Sequence, residues 1–190
     1  MVKTTNFEFV KTLWQQYRPV WQFLLIFFGV YSVLSSTYFF YLNQATSMGQ
    51  IVDPLTAFVG RWVHWIFGLI GVNASVAPWD GGGLVISIGG KAIAQLVEGC
   101  NAVSLMILFI SFILATARGF LKTFGFLITG LVIIFTVNLA RIVLISLAIF
   151  QWASLTNMLH DLVFPAIIYG TVLVLWLSWV MAIKSKKVAE

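Results

Sequence analysis

Charged residues are scarce in this sequence. Only 9% of its 190 residues are Asp, Glu, Lys or Arg, whereas 61% are hydrophobic. Soluble domains average about 25% charged and about 45–50% apolar residues. The shortage of charge therefore excludes an ordinary soluble domain. It predicts an integral membrane protein that has the lipid bilayer as a partner.

Cysteine and histidine are also rare, since the chain has one cysteine, Cys100, and two histidines. A single cysteine cannot form an intramolecular disulfide, so Cys100 is a free thiol or pairs with another chain. A Cys–His metal site would need further ligands at fitting spacing, and none is evident. The sequence therefore implies neither a metal site nor a cofactor.

The net charge of +5 comes from cations at the ends of apolar runs. This distribution argues against nucleic acid as a partner, because nucleic-acid-binding proteins cluster their cations in a patch or stripe. The positive-inside rule places the N-terminus, the 118–122 loop and the C-terminus in the cytoplasm. The cations then inside are Lys3, Lys11, Arg18, Arg118, Lys122, Lys184, Lys186 and Lys187.

Four long apolar runs each suit a transmembrane helix of about 20 residues. They cover residues 20–42, 101–117, 123–140 and 162–183. Residues 55–72 and 142–159 form further apolar runs that either span the membrane or lie at its interface. Arg61 and His64 share one helical face, which favours the interface for the first of these. We predict an all-α integral membrane protein, a single domain over residues 1–190, with about four transmembrane helices plus interfacial helices.

One segment has the composition of β-strands. Leu84–Ile88 and Lys91–Val97 are separated by Gly89–Gly90, which predicts a short β-hairpin. Open sheet edges do not occur in lipid, so the hairpin must lie outside the hydrocarbon. It leads directly to Cys100 at the predicted start of the next helix.

Three chemically active side chains are predicted to lie at one depth. Cys100 begins a helix that descends toward the cytoplasm, and the chain turns back near Lys122. Arg141 follows about 19 residues later, or roughly 28 Å along a helix, which is close to the hydrocarbon thickness. His160 begins the last descent. We therefore expect Cys100, Arg141 and His160 at the outer interface.

These residue types suit acyl transfer. A nucleophilic cysteine reacts as a thiolate, which a helix N-terminus and nearby cations favour. An arginine can stabilise a tetrahedral oxyanion, and a histidine can carry the proton to a leaving amine. Asn138 lies three residues before Arg141 on the same helical face. Its amide is expected to position the guanidinium or a substrate carbonyl.

The motifs resemble those of the exosortase/archaeosortase family, and the short Glu-Gly-Cys-Asn form is similar to the F-type exosortases. They are Val97-Glu98-Gly99-Cys100-Asn101 before an apolar helix, Asn138-Leu139-Ala140-Arg141, and His160 at the head of the last helix. The resemblance covers roughly residues 76–183. Two departures are Ala102, where the family often has glycine, and fewer N-terminal spans than in larger relatives.

The resemblance implies a cysteine transpeptidase embedded in a bacterial cytoplasmic membrane, with its active site facing outside. Its substrates would be membrane-anchored proteins with a C-terminal sorting signal, which pass through a thioester before transfer to an acceptor. Cys100 would be the nucleophile, Arg141 the oxyanion or substrate stabiliser, and His160 the acid and base. Asn101 and Glu98 belong to the motif. Glu98 would orient His160 or pair with Arg141, or else is a solvated end of the hairpin.

Two other classes of function are considered. A non-catalytic membrane scaffold would use Cys100 only for packing, as an isolated cysteine commonly does. A small transporter is disfavoured because charges are nearly absent from the middle of the predicted spans, where transport pathways place them. Trapping an acyl adduct on Cys100 would separate these classes. Neither the oligomeric state nor the recognition motif follows from the sequence.

Overall fold

The computed structural model describes residues 14–47, 51–152, 158 and 162–187. The main elements of this part of the chain are five helices and a small sheet. In chain order they are α1 (Arg18–Ser47), α2 (Pro54–Leu69), β1 (Ala74–Pro78), β2 (Leu84–Ile88), β3 (Lys91–Leu96), α3 (Val103–Ala115), α4 (Phe120–Gln151) and α5 (Phe164–Lys187). A 3₁₀ turn, Glu98–Cys100, lies between β3 and α3.

The prediction of a helical membrane protein is confirmed. Three of the described helices are long and apolar enough to cross a membrane: Arg18–Ala45, Phe120–Gln151 and Pro165–Ile183. Helix α3 is also apolar but has only 13 residues, or about 20 Å at 1.5 Å per residue. It is therefore shorter than the predicted run of residues 101–117 and shorter than a hydrocarbon core of about 30 Å.

Helix α4 corrects the prediction that a span ends at Arg141. Its 32 residues run without a break from Phe120 to Gln151. Arginine is a good helix former, and no proline or glycine lies near Arg141 to stop the helix. The charge ends the apolar run but not the helix. The first ten residues of the predicted segment 142–159 are thus the continuation of α4, and residues 153–157 and 159 lie outside the described residues.

The predicted β-hairpin is present, and it belongs to a larger sheet. Strands β2 and β3 pair antiparallel, and Gly89 and Gly90 between them have φ of 58° and 80°. Positive φ at both turn positions suits a tight hairpin and favours glycine. A third strand, β1, pairs antiparallel with the other side of β2. It was not predicted, because it ends at Pro78, which is tolerated at a strand edge but has the signature of a turn.

Helix α2 packs against the sheet. Its N-cap Asp53 accepts hydrogen bonds from the backbone N–H groups of Leu55 and Thr56, each at 3.0 Å, and Pro54 occupies the first helical turn. Gly60 allows the close approach of Leu84 from β2, because a Cβ on Gly60 would overlap the leucine side chain. With 16 residues, α2 is about 24 Å long. Its placement at the interface stays a prediction.

The buried apolar residues form two clusters. The first joins α2, the sheet and the second half of α4, through residues such as Phe67, Ile86 and Val143. The second joins α3, the first half of α4 and α5. Cys100 packs against the first cluster, whereas Ala102 belongs to the second. The turn that carries the cysteine therefore lies between two parts of the fold. One is the sheet module, formed by α2, the three strands and the second half of α4, and the other is the helix bundle, formed by α1, α3, the first half of α4 and α5.

The helices place their basic ends together. Phe112, near the end of α3, contacts Phe23 near the start of α1, with ring centroids 5.8 Å apart. In the second half of α5, the Trp179 indole N–H donates to Thr116 Oγ1, just after the end of α3, at 3.0 Å. The start of α1, the turn between α3 and α4, and the end of α5 therefore share one end of the bundle. Cys100 lies at the opposite end.

Candidate active site

The chain turns sharply around Cys100 before α3 begins. The Cys100 N–H donates to the carbonyl of Val97 at 2.8 Å. Cys100 ends the 3₁₀ turn, and α3 begins three residues later at Val103. Cys100 was predicted to be the first residue of the helix, and this is wrong because the helix begins three residues later. It lies instead just before the N-terminus of α3.

Ala102 has an unusual backbone conformation. With φ of 61° and ψ of 9°, it is the only non-glycine residue with positive φ among those described. The left-handed region costs an L-residue other than glycine roughly 1–2 kcal/mol. The turn requires this conformation, which glycine adopts without that cost. This explains why the exosortase-like motif often has glycine where this chain has Ala102.

Asn101 fixes the turn through both ends of its amide. Its Oδ1 accepts from the Val103 N–H at 3.0 Å, and its Nδ2 donates to the Tyr38 hydroxyl at 2.8 Å. Thr56 Oγ1 lies 3.5 Å from the same nitrogen. Asn101 is 3% exposed. It therefore joins α1, α2 and α3 just behind the cysteine, and its side chain is committed to structure.

Asn138 holds the cysteine turn against α4. Its Nδ2 donates to the backbone carbonyl of Cys100 at 2.9 Å, and the residue is completely buried. Its Oδ1 is also buried and has no hydrogen-bond partner in the described part of the chain. The amide therefore fixes Cys100 one helical turn from Arg141. Asn138 was predicted to position the guanidinium or a substrate carbonyl, but the bond that it forms is to the backbone of Cys100.

Cys100 and Arg141 line the same cavity, which has a volume of about 490 Å³. Its other walls come from β2, β3 and the second half of α4. Apart from Gln95 and Ser146, those walls are aliphatic. Both Cys100 and Arg141 are half-buried. The structure thus brings the thiol and the guanidinium to one cavity, and their common depth in the membrane stays a prediction.

Glu98 lies on the outer side of this arrangement. Its residue is exposed and does not line the cavity. Among the described residues, neither Glu98 nor any other carboxylate forms an ion pair with Arg141. Glu98 thus begins the 3₁₀ turn after β3 and is exposed, and its predicted contact with His160 lies outside the described residues.

His160 and Asp161 lie outside the described residues. Helix α5 begins at Phe164, a few residues after His160 along the chain. The role of His160 in the site stays a prediction.

A second cavity, of about 450 Å³, lies between α2 and the first two strands. Arg61 and His64 border it, together with Gly60, Val76 and other small or apolar residues. It shares no lining residue with the cavity at Cys100. The pair that was predicted to be interfacial is therefore not part of the cysteine site.

Two groups of site residues were missed by the sequence analysis. Tyr38 and Thr56 support Asn101 from α1 and α2. Tyr38 gave no signal because it lies in an apolar run rich in aromatics. Residues 92–95 of β3, which form one wall of the cavity, were visible only as a strand. Their position beside Cys100 depends on how the sheet packs on α4.

A comparison with protein-family models gives one match that covers most of the chain. The family described as transmembrane exosortase matches residues 13–183. The matched range includes Cys100, Arg141 and His160. Parallel comparisons with curated proteins and with solved structures find no match.

Proposed function

This chain belongs to the transmembrane exosortase family, and we propose that it is a cysteine transpeptidase for membrane-anchored proteins with a C-terminal sorting signal. Family membership supports a membrane transpeptidase or sorting role in general. The observation that carries the specific proposal is the cavity shared by Cys100 and Arg141. The Asn138 amide, which holds the Cys100 carbonyl, keeps the two side chains in that relation.

The proposed reaction has two halves. The Cys100 thiol gives its proton to His160, the resulting thiolate attacks the scissile carbonyl, and Arg141 stabilises the oxyanion of the tetrahedral intermediate. The C–N bond then breaks, a thioester forms, and the leaving amine takes a proton from His160. In the second half an acceptor nucleophile gives its proton to His160 and attacks the thioester. The new bond to the acceptor forms as the C–S bond breaks and the cysteine is released.

The charge distribution supports an active site outside the cytoplasm. The helix ends that carry Arg18, Arg118 and Lys122 lie together, at the end of the bundle away from Cys100. Cytoplasmic loops carry an excess of lysine and arginine. We therefore place that basic end in the cytoplasm of a bacterial cell and the cavity at the outer face of its cytoplasmic membrane.

An acyl-enzyme trap tests the proposed function. The protein would be co-expressed with a membrane-anchored reporter that ends in a recognition segment, a transmembrane helix and a basic tail. Denaturing gels without thiol reagent should show a reporter adduct that neutral hydroxylamine removes, as expected for a thioester. The adduct should be absent from Cys100→Ala. Processing without any hydroxylamine-sensitive adduct on Cys100 would argue against covalent catalysis.

The bond from Asn138 to Cys100 predicts a positioning role. In Asn138→Asp a carboxylate oxygen faces the Cys100 carbonyl and cannot donate to it, so the turn should shift away from α4. A misplacement of about 1 Å can cost about 10²-fold in rate, and we expect a loss of processing up to that size. Reporter cleavage per unit of membrane-inserted protein measures it.

Thr136→Ala is the matched control for Asn138→Asp. Thr136 lies on the same helix, is exposed and bonds only the Val132 carbonyl of its own helix at 2.8 Å. Its loss should leave processing unchanged. If Asn138→Asp and Thr136→Ala both process the reporter at the wild-type rate, the bond to Cys100 does not position the nucleophile.

A further inference from the structure

Strand β3 is an edge strand of the sheet. The strand order is β1-β2-β3, so one side of β3 pairs with β2 and the other side has no strand beside it. Among the described residues, no element forms hydrogen bonds with that outer side. An edge of this kind presents a row of backbone N–H and C=O groups that can pair with another extended chain.

The cavity at Cys100 extends along β3. It contacts four consecutive residues of this edge strand, Ala92–Gln95, which cover roughly 13 Å at about 3.3 Å per residue. It also contacts Val85 and Ile86 of the central strand and residues in the second half of α4. The cavity therefore lies between the sheet and α4, and the edge strand forms its longest wall in the sheet.

A bulge lies in the middle of this edge. Ala94 pairs with Ile86, but the next residue of β2, Ser87, pairs with Ala92. Ile93 is therefore the extra residue of β3. Bulges interrupt the regular ladder and change the direction of a strand, and they are common beside active sites. After the bulge the strand continues to Leu96 and into the turn that carries Cys100.

We propose that the substrate segment next to the scissile bond binds as an added strand on the open edge of β3. This proposal rests on the proposed transpeptidase function. An extended peptide supplies N–H and C=O groups at the spacing that an edge strand needs. The cavity walls are mainly aliphatic, which suits an extended substrate segment without charged side chains. The same cavity contains Cys100 and Arg141, so the bound strand leads its scissile carbonyl to the thiol.

Other occupants fit the open edge and the site at Cys100 less well than an extended substrate. A lipid chain has no backbone groups to pair with the edge. A helical segment satisfies its own N–H and C=O groups and has nothing to offer β3. A second copy of this chain, paired through its own β3, would fill the edge but would bring no scissile bond to Cys100.

Disulfide capture tests this strand addition. The protein has only one cysteine, so Cys100→Ser gives a background without competing thiols. In that background Gln95→Cys and, separately, Ala94→Cys are paired with the membrane-anchored reporter, which carries one cysteine at each successive position before its transmembrane helix. Gln95→Cys should capture every second reporter position. Ala94→Cys should capture the intervening positions, because its side chain points to the opposite face.

Ser75→Cys is the matched control, since Ser75 is an exposed residue of the other edge strand, β1. Ser75→Cys should form no disulfide with the reporter at any reporter position. Four results would each overturn the strand proposal. They are capture with a period of three to four positions, equal capture by Ser75→Cys, disulfide-linked pairs of the protein without reporter, and no capture at all. The proposed function is judged separately, by the adduct on Cys100 in the unmodified protein. An adduct without alternating capture would reject the strand and keep the transpeptidase.

Discussion

Cys100→Ala and Cys100→Ser should each reduce processing of a membrane-anchored reporter to the background rate. Alanine removes the nucleophile. A serine hydroxyl is a weaker nucleophile than a thiol at neutral pH and needs a general base positioned to remove its proton. Loss of a catalytic nucleophile can cost on the order of 10⁶ in rate, which is below detection in a cellular cleavage assay. The fraction of reporter cleaved, normalised to membrane-inserted protein, measures the effect.

Neither change should unfold the protein. Cys100 is only half-buried, and its backbone carbonyl still accepts the Asn138 hydrogen bond in both variants. Ser104→Ala, at an exposed position in the first turn of α3, is the matched control and should process normally. Processing by Cys100→Ala at the wild-type rate would instead favour the non-catalytic scaffold, in which the cysteine contributes only packing against the sheet module.

The features that followed from sequence are those fixed by local chemistry. The scarcity of charge determines the membrane class, and the Gly89–Gly90 turn determines the hairpin of β2 and β3. The prediction that Cys100 and Arg141 lie at one depth uses only the rise of a helix and the thickness of the bilayer. Each of these depends on a short stretch of chain or on one length.

The features that escaped prediction depend on distant contacts. Helix α4 continues past Arg141, and its second half packs against the sheet rather than ending where the apolar run ends. Strand β1 is stable only where β2 and α2 meet it. The bond from Asn101 to Tyr38 joins residues that are far apart in sequence. No local pattern indicates which tyrosine of an aromatic-rich helix will lie there.

Asn138 combines a feature that local sequence predicts with one that depends on a distant contact. Its spacing from Arg141 correctly placed both residues on one helical face. The partner of its amide was predicted to be the guanidinium or a substrate, but it is the carbonyl of Cys100. Helical periodicity gives the direction of a side chain, whereas the group that it meets is decided by the packing of the cysteine turn on α4.

Arg141→Lys should lower processing heavily although it keeps the positive charge. Lysine is a point charge and lacks the planar fork of guanidinium donors, which can bind a developing oxyanion at two points. Loss of an oxyanion donor typically costs about 2.7–4 kcal/mol, or about 10²–10³ in rate. Arg61→Lys is the matched control, because Arg61 borders the other cavity and should tolerate the change.

A second measurement separates lost catalysis from a lost site. A membrane-impermeant maleimide added to intact cells should still label Cys100 in Arg141→Lys, since the turn and the cavity remain and face outside in the proposed orientation. The expected result is thus a thiol that is accessible but transfers acyl groups 10²–10³ times more slowly. If Arg141→Lys and Arg61→Lys both process the reporter like the wild type, Arg141 is an interfacial anchor whose charge alone is needed. Oxyanion stabilisation would then have to come from another group.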